Sequence, residues 1–347
     1  MSTTQKQRLP YIDFMKGLCI LLIVQQHIDI DHNFYPSIHP QLNPALQSFR
    51  IPMYYFLSGI FFKTYNGFSD FLRRKVNNMI IPLLFFEVLA LLVAWPVAMY
   101  KQSHGIDSTV GFSWMYIFDP FTIRAWHYTY PMWFLLSLFE VNVMFYLIQK
   151  YLSSVWRVVA VVFLAAMGYA CAYWHVQLPL HFDTALVGIP YFMLGWYVKQ
   201  KDVLVPSKYD KWGLYIFIPV MIVIFFVSAG IGINQQELPN WLQLYIVPFI
   251  AILTLFWACK NLPKIPVITY FGRYSIIILG THVVFCVQMR SVAQAFGIHD
   301  SQWVSFVAFL ITMAVEAIII AVLIRVFPRY TAQKEFFKEG WKPYFLN

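Results

Sequence analysis

The sequence predicts an all-α protein, a polytopic integral membrane bundle of about ten transmembrane helices. Of its 347 residues, 60% are hydrophobic and only 12% charged, whereas soluble domains carry roughly 25% charge. Apolar runs of membrane-crossing length recur along the whole chain, and Trp and Tyr cluster near their ends, where amphipathic rings favour the boundary between lipid and water. Lys and Arg concentrate in alternate loops. Together these observations give one membrane domain over residues 1–347, with a short tail over 1–12 and a basic tail over 328–347.

The expected spans are Phe14–Ile30, Ala45–Phe62, Met79–Tyr100, Met132–Tyr151, Val155–Trp174, Ala185–Val198, Trp212–Ile231, Trp241–Cys259, Tyr274–Met289 and Trp303–Phe327. The sixth carries Gly188, Pro190 and Gly195, which are tolerated only where neighbouring helices cover the freed backbone. With an even number of spans both termini share one side. That side holds 20 Lys and Arg against 3 on the other, Lys101, Arg124 and Arg290, while Lys16 and Arg50 lie within spans. The positive-inside rule makes the termini cytoplasmic. Topology thus accounts for the formal charge of +9 without nucleic acid as a partner. The long loop from Lys101 to Tyr130, with Trp114, Trp126, His104 and His127, lies outside, as a lid, an acceptor-binding surface or an interfacial loop.

The first span is interrupted by Lys16 and lacks a small-residue cleavage site after it, so it reads as a retained helix and not as a signal peptide. Cys19, Cys171, Cys259 and Cys286 all fall in apolar runs without disulfide or zinc spacing and are expected to be packing residues.

Ionisable groups inside a span are costly and mark functional positions. Lys16 and His27 stand eleven residues apart in the first span. That is close to three helical turns, which puts both on one face about 16 Å apart along the axis. His27 is the leading candidate base, because an imidazole titrates near neutrality and in its neutral form accepts a proton from a hydroxyl. Asp31, at i+4, is placed to hold its tautomer. A metal site from His27, Asp29, Asp31 and His32 is not expected, since alternate helical residues point apart. Arg50, within the second span beside Pro52, must face polar partners, and Ser58 follows it in a small-residue pair with Gly59. Arg73, Arg74 and Lys75 precede the third span, where they suit either lipid headgroups or the phosphates of a soluble donor. Trp133, Glu87, Glu140, His282 and Glu316 are further candidates in or at the ends of spans.

Several runs resemble the membrane acyltransferase-3 family in order along nearly the whole chain: Tyr11-Ile12-Asp13-Phe14-Met15-Lys16-Gly17 followed by His27, Phe56-Leu57-Ser58-Gly59, basic residues before Ile81-Pro82, Met132-Trp133-Phe134-Leu135, and Gly272-Arg273-Tyr274-Ser275 followed by His282. More narrowly, the chain is similar to the fucose 4-O-acetylase-like branch. The resemblance implies a ten-helix enzyme that moves an acyl group, often acetyl from acetyl-CoA, onto a carbohydrate hydroxyl, with His27 catalytic and Lys16 in the basic position of the motif. The chain departs from the family's pattern at Lys16, often Arg, at Gln26, often Gly, at Arg50-Ile51, where related sequences tend to have His-Met, and at Asn77 or Asn78, where a second arginine is usual.

These readings combine into one expected mechanism. Acyl-CoA enters from the cytoplasm with its phosphates on Arg73, Arg74, Lys75 and Lys16, His27 deprotonates the acceptor hydroxyl or forms an acyl-histidine, and Arg50 stabilises the oxyanion or binds acceptor. No bound cofactor is expected, acyl-CoA being a co-substrate. A transporter or flippase for a glycan or lipid intermediate is the competing class, because polar residues within spans also line translocation paths. A purely structural membrane subunit would leave Lys16 and His27 unexplained.

Overall fold

The computed structural model describes residues 9–28, 38–104, 113–201, 203–204, 207, 210–295 and 302–338. These fold into helices α1 (Pro10–Ile28), α2 (Leu42–Ile60), α3 (Phe68–Lys75), α4 (Ile81–Ser103), α5 (Trp133–Tyr151), α6 (Ser154–Tyr173), α7 (Phe182–Gln200), α8 (Lys211–Val227), α9 (Val247–Asn261), α10 (Pro266–Arg273), α11 (Ser275–Ala295) and α12 (Gln302–Val326). Among the described residues the one pairing of extended backbone is an isolated bridge between Gly232 and Glu237.

Prolines explain the irregular turns. Pro82 has no N–H to give the carbonyl of Asn78, and Pro248 has none for Leu244; each of those carbonyls falls in a π turn, Val76–Ile80 and Leu242–Ile246, where the hydrogen-bond ladder slips by one residue. The slip lets α3 run into α4 as one long rod. Pro10 and Pro266 stand at the first positions of α1 and α10, where a missing N–H costs nothing.

Two close helix crossings organise the bundle. α2 lies along α7, with Gly59 and Gly195 opposed: a Cβ on either would come within 1.9 Å or 1.8 Å of a backbone carbonyl of the other helix. α1 crosses α10 in the same way through Gly17 and Gly272. Small residues at such points allow backbone-to-backbone contact, the main source of packing energy between helices in lipid. The glycines of the sixth expected span therefore serve close approach: Gly195 meets α2, and Gly188 faces the ring of Tyr55.

Among the described residues five helical stretches are long and apolar enough to cross a membrane, or six if the pair α10 and α11, bent by 89°, is one span. This makes the chain a helical integral membrane protein with fewer strongly apolar helices than the ten expected. The difference has a physical source. α1 and α2 carry Lys16, Gln26, His27, Gln47 and Arg50 on a cavity, and those polar residues dilute their apolar character. α8 ends at Val227, four residues before the expected end of the seventh span, because Gly230–Glu237 forms a hairpin.

Candidate active site

A cavity of about 590 Å³ opens between α1, α2, α5 and α11. α1 contributes Lys16, Ile20, Ile23, Gln26 and His27, the i, i+4, i+7, i+11 stripe of a single helical face. Lys16 and His27 are therefore on one wall, as their spacing predicts. α2 contributes a second stripe, Gln47, Arg50, Ile51, Tyr54, Leu57 and Ser58.

The helices alternate in direction, which sorts the lining by depth. One end is formed by Lys16, by Phe61 and Tyr65 after α2, and by Lys75 and Asn78 before α4. The other is formed by Gln26 and His27 at the end of α1, Gln47 early in α2, Tyr130, Pro131 and Trp133 at the start of α5, and the hairpin Gly230–Glu237 after α8.

At the first end the Lys16 ammonium lies 5.2 Å from the Phe61 ring centroid, and the Lys16 carbonyl accepts a 2.8 Å hydrogen bond from the Tyr54 hydroxyl. Lys75 is buried, with its ammonium 5.6 Å from the Phe71 ring, and lines the cavity. Arg73 and Arg74 do not line it. Arg73 is 1% exposed and turns to the C-terminal segment, with Asp70 at 2.7 Å, Glu335 at 2.5 Å and the Phe337 carbonyl at 3.0 Å. Arg74 is shared by Asp70 and Glu335 and stacks on Tyr65 at 4.7 Å. Asn77 completes this clasp. Its amide donates to the Phe337 carbonyl at 2.8 Å, and its oxygen accepts from the backbone N–H groups of Phe336 and Phe337. Three adjacent cations thus divide by helical angle, with Lys75 facing the cavity and the arginines facing the tail.

Deeper in the cavity Arg50 is 3% exposed, and its guanidinium donates to the side-chain oxygen of Gln26, the residue before His27. His27 lies against His282, with ring centroids 5.3 Å apart. His282 is fully buried behind the wall, its Nδ1 2.6 Å from the Ile278 carbonyl. Ser58 and Trp133 line the cavity. Glu316 does not; it is buried between α11 and α12, where the Thr281 hydroxyl approaches its two oxygens at 2.9 and 2.8 Å. Glu87 is likewise buried and accepts a hydrogen bond from Thr129. Asp31, with Asp29 and His32, lies outside the described residues.

Among the described residues, the loop from Lys101 to Tyr130 meets the cavity through Tyr130 alone. Its Trp126 is buried, and the indole N–H donates to His181 Nε2 at 2.8 Å. The adjacent Arg124 pairs with Asp183 at 2.7 Å and lies 3.1 Å from His181 Nδ1. Burial and the neighbouring guanidinium push the His181 imidazole down to about 3. His127 pairs with Asp119 at 2.8 Å, away from the cavity. Residues 119–127 of this loop thus brace the start of α7 through His181 and Asp183.

Sequence reasoning passed over Tyr54, Gln47, Tyr130 and the hairpin. Gln47 and Tyr54 were findable, since they continue the Arg50 stripe at i−3 and i+4. The hairpin's signal was the run Gly230-Ile231-Gly232-Ile233 followed by the four polar residues Asn234, Gln235, Gln236 and Glu237.

A cavity with cations at one end and an imidazole and a guanidinium further along can hold an anionic donor by its phosphates while a hydroxyl is deprotonated beside a cation. That is the requirement of acyl transfer. No curated protein and no solved structure matches this chain. A family model for an acyltransferase domain, however, matches residues 9–325, and the chain accordingly belongs to the acyltransferase-3 family and is a membrane acyltransferase.

Proposed function

We infer that this enzyme transfers an acyl group, acetyl in the simplest case, from acyl-CoA to a hydroxyl of a carbohydrate acceptor such as a cell-surface glycan. The observation that carries the reading is the shared wall of α1, which sets Lys16 and His27 on one cavity. The resemblance to the fucose 4-O-acetylase-like branch supports the choice of acetyl and sugar. The reading keeps ten membrane crossings with cytoplasmic termini, supported by the 20 to 3 asymmetry of Lys and Arg.

In this mechanism the donor phosphates sit on Lys16 and Lys75, and the pantetheine arm carries the thioester towards His27. Arg73 holds the tail and leaves the phosphates to its neighbours. His27 takes the proton of the acceptor hydroxyl as the oxygen attacks the thioester carbonyl. Arg50, steadied by Gln26, faces the oxyanion of the tetrahedral intermediate. As the C–S bond breaks, the imidazolium returns its proton to the departing sulfur, leaving an ester and free CoA thiol.

The test is to incubate purified protein with acetyl-CoA and to compare, by mass spectrometry, the surface glycans of wild-type and deletion cells. Thiol release together with loss of one acetyl group from the glycans is the expected result. Glycan export that fails in the deletion strain without any acyl-CoA requirement would overturn the reading in favour of a carrier.

A further inference from the structure

The hairpin Gly230–Glu237 forms part of the cavity wall that the chemistry above leaves unused. Gly232 and Glu237 exchange two backbone hydrogen bonds of 3.0 Å. Gln236, at a left-handed φ of 60°, turns its side chain back into the protein, where its amide donates to the Val176 carbonyl at 2.7 Å and to Asp183 at 2.9 Å. Asp183 is itself held by Arg124. The hairpin is therefore tied to a buried ion pair, and its remaining side chains are positioned in advance, which lowers the entropic cost of binding.

Those side chains meet Tyr130 at the cavity mouth. The Tyr130 oxygen accepts from the amides of Asn234 at 3.0 Å and Gln235 at 2.5 Å. A phenol oxygen that has accepted two hydrogen bonds still has its own O–H to donate. Glu237, exposed at the same mouth, brings two oxygens that only accept. Gln47 of α2 lies beside the same segment, since a Cβ on Gly230 would stand 2.9 Å from its side-chain oxygen, and its carboxamide, donor and acceptor both, also lines the cavity. The indole of Trp133 supplies an apolar wall.

We propose that this mouth is the acceptor subsite and that its ligand is a polyol, a sugar ring with neighbouring hydroxyls, held by Tyr130, Glu237 and Gln47 against Trp133. A sugar hydroxyl donates and accepts at once, and a site offering both beside an aromatic face matches it. A simple alcohol would leave most of these groups unpaired, and unpaired polar groups at a partly buried site are the source of strong discrimination. The assignment rests on the carbohydrate reading above, and it places the acceptor at the cavity end opposite Lys16 and Lys75.

The experiment uses the full-length protein in detergent, acetyl-CoA as donor and methyl glucoside, galactoside and fucoside as acceptors, with released thiol as the readout. Glu237→Gln and Tyr130→Phe, which preserve shape, are expected to raise the KM for the glycoside by about tenfold, the effect of one hydrogen bond to a charged or polar group. The KM for acetyl-CoA stays where it is, which also shows the variants to be folded. Gln47→Ala repeats the test from α2, away from the hairpin. Glycoside KM values unchanged in all three variants overturn the subsite while leaving the reaction intact. Wild-type protein that acetylates butanol or methylamine but no glycoside overturns the carbohydrate reading itself, and absence of any acetyl-CoA turnover overturns the donor.

Discussion

The imidazoles of His27 and His282 stand 5.3 Å apart, tilted by 57°, yet only His27 lies on the cavity wall. His282 is fully buried, and its contact with the Ile278 carbonyl at 2.6 Å places a hydrogen on Nδ1. Two histidines distant in sequence thus form one pair with unequal access to substrate. In the proposed mechanism this pair lies beside the reacting groups, at the end of α1.

His27→Gln is expected to lower kcat by about 10² to 10⁴, the usual worth of a general base. Acyl-CoA binding should persist, because Lys16 lies roughly three turns away. Binding of a fluorescent acyl-CoA and single-turnover transfer, measured on the same preparation, check both halves. Near-wild-type transfer would move the base to another residue, with His282 the first alternative.

The division of the basic cluster gives a contrast between neighbours. Lys16→Met and Lys75→Gln should each weaken acyl-CoA binding by about 10- to 150-fold, since a charge-assisted contact is worth ~1.5–3 kcal/mol, and Lys16→Arg should be milder. Arg73→Gln should leave acyl-CoA affinity unchanged but release the segment that holds Glu335 and Phe337. Limited proteolysis reads that release as faster cleavage between residues 329 and 338. Equal loss of acyl-CoA affinity in Arg73→Gln and Lys75→Gln would show that the arginine serves the donor as well.

What the sequence made legible was periodic. The Lys16 to His27 interval is a property of one helix, and Arg50 beside Pro52 announced itself as a charge within an apolar run, so both were placed on the cavity from local pattern alone. Arg73 was not legible, because its partner Glu335 is distant along the chain and three adjacent cations look equivalent until helical angle separates them. The hairpin was hidden because Ile231 and Ile233 extend the apolar run beyond Val227; they are buried by tertiary contact and not by a helix. Trp126 looked like a surface for an acceptor, but burial against His181 was decided by a segment that follows α6.

The α2–α7 crossing sets a steric prediction. Gly59→Ala or Gly195→Ala would drive a methyl group to within 1.9 Å or 1.8 Å of a carbonyl oxygen, Phe192 or Phe56, so the two backbones must separate. Overpacking of this kind costs about 1–3 kcal/mol or more. A fall in Tm of the purified protein is expected for either variant, together with partial loss of transfer, because α2 carries the Arg50 stripe. An unchanged Tm would mean that the crossing is looser than the geometry states.

His181 gives the acid limb of stability. Its imidazole is held at about 3 in the folded protein by burial and by Arg124, against about 6.5 in an unfolded chain. Between those values the unfolded chain binds a proton that the folded chain does not, so stability rises with pH there. The contribution is complete above about pH 6.5 and is lost as the pH falls towards 3, by up to about 1.4 kcal/mol per unit for one group. Thermal unfolding of the purified protein from pH 7.5 down to pH 4.5 should show a falling Tm. His181→Gln, which cannot take up the proton, should lower Tm at pH 7.5, where the Trp126 contact is weakened, and flatten the dependence below it. A variant that keeps the wild-type slope would assign the acid lability to carboxylates elsewhere in the chain.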